Sequence, residues 1–184
     1  PISEEGPDPA GARVTGVLGK KEERSCFYRN QVNAGIYVLS KELLSDMKEP
    51  EGKVDLDKDL IRPMIGAGRV YAYRSTEYVK DMGTPDRYES VSADLEKGVV
   101  AARNLSRKQK CIFLDRDGTV NELRGFVKKP EELVLKPEAA EAIRIINRSE
   151  YLCILVTNQP VVARGDCSFE ELEEIHRKLE TELG

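Results

Sequence analysis

The 184-residue chain contains no tryptophan and one histidine, His176. That histidine sits mid-helix among charged residues with no ligand-type neighbours, which reads as an exposed helix position rather than a catalytic one. The four cysteines, Cys26, Cys111, Cys153 and Cys167, have no C-x-x-C spacing, so they suggest no zinc or redox site. Cys111 and Cys153 lie inside apolar runs and read as reduced core residues. No apolar run approaches membrane-spanning length, and no signal-peptide core opens the chain. Basic residues are scattered and the net charge is −4, so there is no electrostatic footprint for nucleic acid. Internal repeats and low-complexity segments are also missing. The 40% hydrophobic content supports a core, and the expectation is a soluble cytoplasmic protein. The chain starts without Met, on a proline-rich stretch that reads as a loop entered part-way through a domain. Its length allows one large domain or two small ones.

The most informative stretch is Ile112-Phe-Leu-Asp115-Arg-Asp117-Gly118-Thr119. An apolar run of strand length ends in two aspartates spaced i and i+2, which share one face of an extended strand. Paired carboxylates there can grip a divalent cation, or one can attack while the other shuttles a proton. A turn or helix cap after a strand is the plainer alternative. A second apolar run, Tyr151 to Val156, leads into Thr157-Asn158-Gln159. In parallel α/β sheets ligands bind at the carboxyl ends of strands, where Asp115 and Thr157 both fall. Thr157 and Asn158 are a suitable phosphate cradle, or ordinary turn chemistry.

From Cys111 onward strands and helices alternate. A helix from Pro137 carries Ala140, Ile143 and Ile146. Another opens on the capping box Ser168-Phe-Glu-Glu171 and carries Leu172, Ile175 and Leu179. Near-continuous apolar strands flanked by helices predict a parallel sheet covered on both faces. Upstream, strands are expected at Arg13–Leu18, Val32–Leu39 and Arg69–Tyr73. Helices are expected after Ser40 (with Leu43, Leu44 and Met47), after Asp55 or Asp57, and from Thr84-Pro85 to about Lys97. The fold class expected is α/β, as two partial Rossmann-like parallel-sheet domains over 1–98 and 111–184. Residues 99–110 are the linker, with a basic solvated surface.

The motif Asp115-Arg-Asp117-Gly118-Thr119 resembles motif I of the haloacid dehalogenase superfamily of phosphohydrolases. Thr157-Asn158 resembles its motif II. Phe113 to Thr119, Val156 to Gln159 and Ala163-Arg164-Gly165 together are similar to the histidinol-phosphate and heptose-bisphosphate phosphatase branch, with Pro160 where many members have Ser. The resemblance implies Asp115 as nucleophile and Asp117 as acid/base. It implies Mg²⁺ bound by Asp115 and by the backbone carbonyl of Asp117, with Thr157 and Asn158 on the transferring oxygens. Arg164 binds a second phosphate or is a surface residue. The family's third-motif cation and fourth-motif acid lie well downstream of motif II and are not reached by Gly184. The expectation is an incomplete fragment, inactive alone.

Residues 1–98 resemble the C-terminal half of a sugar-1-phosphate nucleotidyltransferase, through Val32-Asn33-Ala-Gly-Ile-Tyr37 and Asp81-Met-Gly-Thr-Pro85. That implies Asn33 on sugar hydroxyls, Asp81 on a catalytic Mg²⁺ and Lys21 near the substrate. The plainer readings are a strand-end Asn33 and a turn Asp81. The order of the two resemblances suggests a bifunctional enzyme making an activated heptose for surface polysaccharide (lipopolysaccharide), with a small-molecule sugar phosphate as partner and a nucleoside triphosphate in the parent protein. The alternatives are a nucleotidyltransferase alone, or an inactive structural junction module.

Overall fold

The computed structural model describes residues 2–5, 12–19, 25–45 and 52–184, and they form two compact units. One unit comprises Pro1–Ser25 and Arg29–Arg74; the other comprises Cys26–Tyr28 and Ser75–Gly184. Lys20, Lys21 and Met47 lie outside the described residues.

The first unit holds a three-stranded antiparallel sheet, β1 (Ile2–Glu5), β2 (Ala12–Val17) and β3 (Tyr71–Ala72), in that order. β1 runs from Ile2↔Val17 to Glu5↔Arg13 with an irregularity between Ser3 and Glu4. Residues 2–5 are therefore strand, not the loop expected from the proline-rich start. Pairing with β2 satisfies the backbone groups along one side of β1. The sheet of this unit is antiparallel, where a parallel one was expected. Val32–Leu39 also departs from expectation, since it forms no strand. Gly35 takes a φ of +73° and donates its N–H to Asn33 Oδ1 at 2.8 Å, breaking the extended run with a local turn. Without a partner strand, Val38 remains 99% exposed. Two helical pieces follow: α1 (Lys41–Ser45), then a π-turn Leu56–Ile61 running into α2 (Arg62–Gly66). Asp55 opens the π-turn, its carboxylate accepting the Lys58 N–H at 3.0 Å. Leu60 and Ile61 are buried, as are Ala12 and Val14 of β2.

The second unit begins with α3 (Pro85–Glu96), with Pro85 in its first turn as expected. Gly98 adopts φ +77°, and the short α4 (Val99–Ala102) follows. Arg103 then donates from Nη2 to the carbonyls of Asn147 and Tyr151, both at 2.9 Å. Next come β4 (Lys110–Asp115), a 3-10 turn at Pro130–Glu132, α5 (Ala139–Asn147), β5 (Tyr151–Val156), α6 (Pro160–Ala163) and α7 (Phe169–Leu183). The Ser168 capping box forms at the start of α7. Ser168 Oγ accepts from Glu171 N–H at 3.1 Å, and Glu171 Oε2 accepts from Ser168 N–H at 2.7 Å.

β4 and β5 pair in parallel, from Lys110↔Tyr151 to Asp115↔Val156. Residues in register share a face, so the period-two alternation splits the sheet cleanly. Leu114, Cys153 and Leu155 pack against a core of Val120, Leu133, Ile143, Val161, Ile175 and Leu179. Phe113 and Val156 lie on the other face, 64% and 55% exposed. Among the described residues the sheet is covered on one face, not on the two that its apolar runs suggest.

Candidate functional site

Asp115 is the last residue of β4, and its register partner Val156 is the last of β5. Asp115 and Thr157 thus emerge at the same end of the sheet. The Asp115 side chain is exposed, and its Oδ1 accepts the N–H of Arg116 at 2.8 Å. Beyond it the chain turns sharply through Gly118, whose φ of +83° favours glycine over any L residue. The turn is closed by Gly118 N–H donating to Asn121 O at 2.9 Å and Val120 N–H donating to Arg116 O at 2.9 Å.

Asp117 faces a dense set of donors. Arg116 reaches Oδ1 from Nε at 3.1 Å and from Nη2 at 3.0 Å, and reaches Oδ2 from Nη2 at 2.9 Å. Asn121 Nδ2 donates to Oδ1 at 3.1 Å, and Gln159 Nε2 donates to Oδ2 at 2.7 Å. Burial pushes the Asp117 carboxyl upward. Hydrogen bonds from Asn121, Gln159 and Arg116, with the guanidinium charge, outweigh it and hold the group below its ordinary 3.8. Arg116 and Asn121 are themselves fully buried. Arg116 Nη1 and Asn121 Oδ1 have no hydrogen-bond partner among the described residues.

Gln159 also donates from Nε2 to Thr157 Oγ1 at 2.7 Å, so one amide spans the two motifs. Asn158 is exposed beside it. Arg164, at the end of α6, places its guanidinium carbon 4.7 Å from the centre of the Phe126 ring, in cation–π contact. Asp115, Asp117, Thr157 and Gln159 are therefore gathered at one sheet end, with Arg116 and Asn121 behind them. Arg116, Asn121 and Gln159 are the residues that sequence reasoning left without a role. The signal for Gln159 was its place in the Thr157-Asn158-Gln159 string. Arg116 stood between two aspartates, while nothing local marked Asn121.

The upstream candidates spend their side chains locally. Asn33 is exposed, accepts the Gly35 N–H and donates to the Tyr37 hydroxyl. Asp81 accepts the Gly83 N–H at 2.9 Å and pairs with Arg87. Among the described residues no three His, Cys, Asp or Glu side chains cluster to hold a metal. The donor set at the sheet end still suits a hard divalent cation. Asp115 presents an exposed carboxylate, and Mg²⁺ needs only one or two carboxylates when phosphate supplies further oxygens. Both Asp117 side-chain oxygens accept N–H donors.

No family model matches the chain. Over 69 residues it is 36% identical to the D-glycero-D-manno-heptose-1,7-bisphosphate 7-phosphatase of Thermosynechococcus vestitus, covering 38% of this chain and 35% of that protein. A mannose-1-phosphate guanylyltransferase of Mycobacterium tuberculosis is 31% identical over 90 residues, covering 47% of this chain and 24% of that protein. Among solved structures, the D,D-heptose 1,7-bisphosphate phosphatase from B. bronchiseptica, complexed with magnesium and phosphate, is 38% identical over 41% of this chain and 42% of that one, with a TM-score of 0.39. The chain spans between 35% and 42% of the length of the heptose bisphosphate phosphatases it matches. Within that span, the chain is similar to proteins named heptose bisphosphate phosphatases.

Proposed function

We propose that this chain carries the nucleophile-bearing part of a magnesium-dependent sugar-phosphate phosphatase of the heptose 1,7-bisphosphate type, acting through an aspartyl-phosphate. One observation carries the reading: the parallel register that ends in Asp115↔Val156 brings Asp115, Asp117 and Thr157 to one sheet end. An exposed carboxylate oxygen of Asp115 attacks phosphorus, and the bond to the sugar oxygen breaks. The leaving oxygen takes a proton, and water then cleaves the acyl phosphate. Asp117 is the proposed carrier of both protons, giving one to the leaving oxygen and taking one from the attacking water. Held as an anion by Arg116, Gln159 and Asn121, it suits the second half-reaction, in which it takes a proton from water. The first half-reaction needs it protonated, so the grip has to loosen there. Magnesium, held by the Asp115 carboxylate and the Asp117 carbonyl, would neutralise charge on the phosphoryl oxygens. Thr157 and Asn158 line the phosphate, and Arg164, steadied on Phe126, is the candidate for a second phosphate.

The guanylyltransferase match supports a second reading. In that reading residues 1–98 belong to a sugar nucleotidyltransferase and 99–110 join it to the phosphatase part at 111–184. Asn33 and Asp81 are its substrate and metal candidates. Such a bifunctional protein would act in the cytoplasm on the route to an activated heptose for surface polysaccharide. Among the described residues no helix is long and apolar enough to cross a membrane.

The test grafts residues 111–184 in place of the corresponding segment of the Thermosynechococcus relative and measures phosphate release from heptose 1,7-bisphosphate with Mg²⁺. Release within about tenfold of the relative, abolished by Asp115→Asn, supports the assignment. A folded chimaera that releases nothing sinks it.

A further inference from the structure

We propose that Gln159 is a positioning residue that dictates the direction of the Thr157 hydroxyl, leaving its proton for an oxygen of a bound phosphoryl group. The inference rests on the phosphatase reading above and adds a residue to it.

The argument is one of donors and acceptors. Gln159 Nε2 lies 2.7 Å from Asp117 Oδ2 and 2.7 Å from Thr157 Oγ1. A carboxylate only accepts, so the end of the amide facing Asp117 is its NH₂. That NH₂ has two protons and two oxygens before it, one for each. Thr157 Oγ1 is then an acceptor toward Gln159, and its own O–H has to point elsewhere. Thr157 directly follows β5, at the sheet end that Asp115 also occupies. A hydroxyl forced to donate there faces the place where an anion is presented.

The amide is anchored at its far end. Asp117 is gripped by the fully buried Arg116 and Asn121, so the carboxylate that fixes Gln159 does not swing freely. A relay therefore runs from Arg116 through Asp117 and Gln159 to Thr157. A glutamate at 159 would reverse the last link: Thr157 would donate to the new carboxylate and offer phosphate only lone pairs. A methionine of similar length would remove the link without reversing it.

The experiment has two arms on the 184-residue chain. In the first, the two side-chain amide protons of Gln159 are followed by NMR. Asp117→Asn is expected to shift one and Thr157→Val the other; if neither signal responds, the inference is overturned. In the second, inorganic phosphate is titrated with Mg²⁺ into the wild type, Gln159→Met and Gln159→Glu, each with Thr157 and with Thr157→Val. Gln159→Glu is expected to bind phosphate about tenfold more weakly than Gln159→Met, the worth of one hydrogen bond to a charged group. In the Thr157→Val background most of that excess loss disappears. If it persists undiminished, the effect is simple charge repulsion and the inference fails while the phosphatase reading stands. If the wild type binds no phosphate although both amide protons respond, the phosphate-site reading fails and the donor role falls with it. Circular dichroism checks that each variant is folded; if Gln159→Glu is not, the amide-proton responses and the Gln159→Met coupling to Thr157 decide.

Discussion

Arg116 and Asp117, neighbours in sequence, form an ion pair in which Nη2 reaches both carboxylate oxygens, at 3.0 and 2.9 Å. The guanidinium is almost wholly shielded, while the carboxylate keeps 22% of its side-chain exposure. A candidate acid/base is thus pinned from the protein side and open on the other.

Arg116→Met should destabilise the second unit by roughly 3 kcal/mol, the low end for removing one partner of a buried pair, because Asn121 and Gln159 still serve Asp117. Arg116→Lys keeps the charge but loses the fork, so it should fall between. Urea midpoints at neutral pH provide the check, and equal stability of all three proteins would show that the pair contributes nothing.

The same contacts make stability depend on pH. Asp117 has a folded value below its ordinary 3.8, so its contribution is fully present above that value. It is lost as pH falls from there through the depressed folded value. Melting temperatures should drop more steeply below about pH 4 in the wild type than in Asp117→Asn, which does not titrate there. Parallel curves would refute the assignment.

Tyr78 donates its hydroxyl to Asp94 at 2.7 Å, and Lys80 completes the cluster beside α3. Burial first, then the Asp94 hydrogen bond and charge, push the phenol up to about 12. Its contribution is present below the ordinary 10.0 and is lost as pH rises through about 12. Alkaline titration followed by tyrosinate absorbance should show a late step near pH 12. Tyr78→Phe should remove the late step and leave the rest of the curve unchanged.

Arg103 ties the segment before β4 to the end of α5 and the start of β5 through the carbonyls of Asn147, Ser149 and Tyr151. Arg103→Ala should cost about 1–3 kcal/mol, since the lost bonds are charge-assisted. A chain shortened to residues 111–184 should lose at least as much. Guanidinium unfolding of the three proteins tests both statements.

Much of the second unit was legible in the sequence because its signals are local. The apolar run ending in Asp115, the Ser168 capping box and the Pro85 helix start each depend on residues within a few positions, and each forms as read. Gly118 needed only the backbone geometry of one turn. Val32–Leu39 shows where local signals end. Its composition suits a strand, but a strand exists only with a partner, and the Asn33–Gly35 turn prevails where none is supplied. The direction of the first sheet likewise depends on pairing that no single segment encodes. At the candidate site the sequence determined the residue types: two carboxylates after one strand and a hydroxyl with amides after another. Only the tertiary structure decided their division of labour. It buried Arg116 against Asp117 and laid Gln159, forty-two positions away, between Asp117 and Thr157. Hydrogen bonding acts through space over about 3 Å, so which side chain orients which depends on how the strands are brought together rather than on their order along the chain.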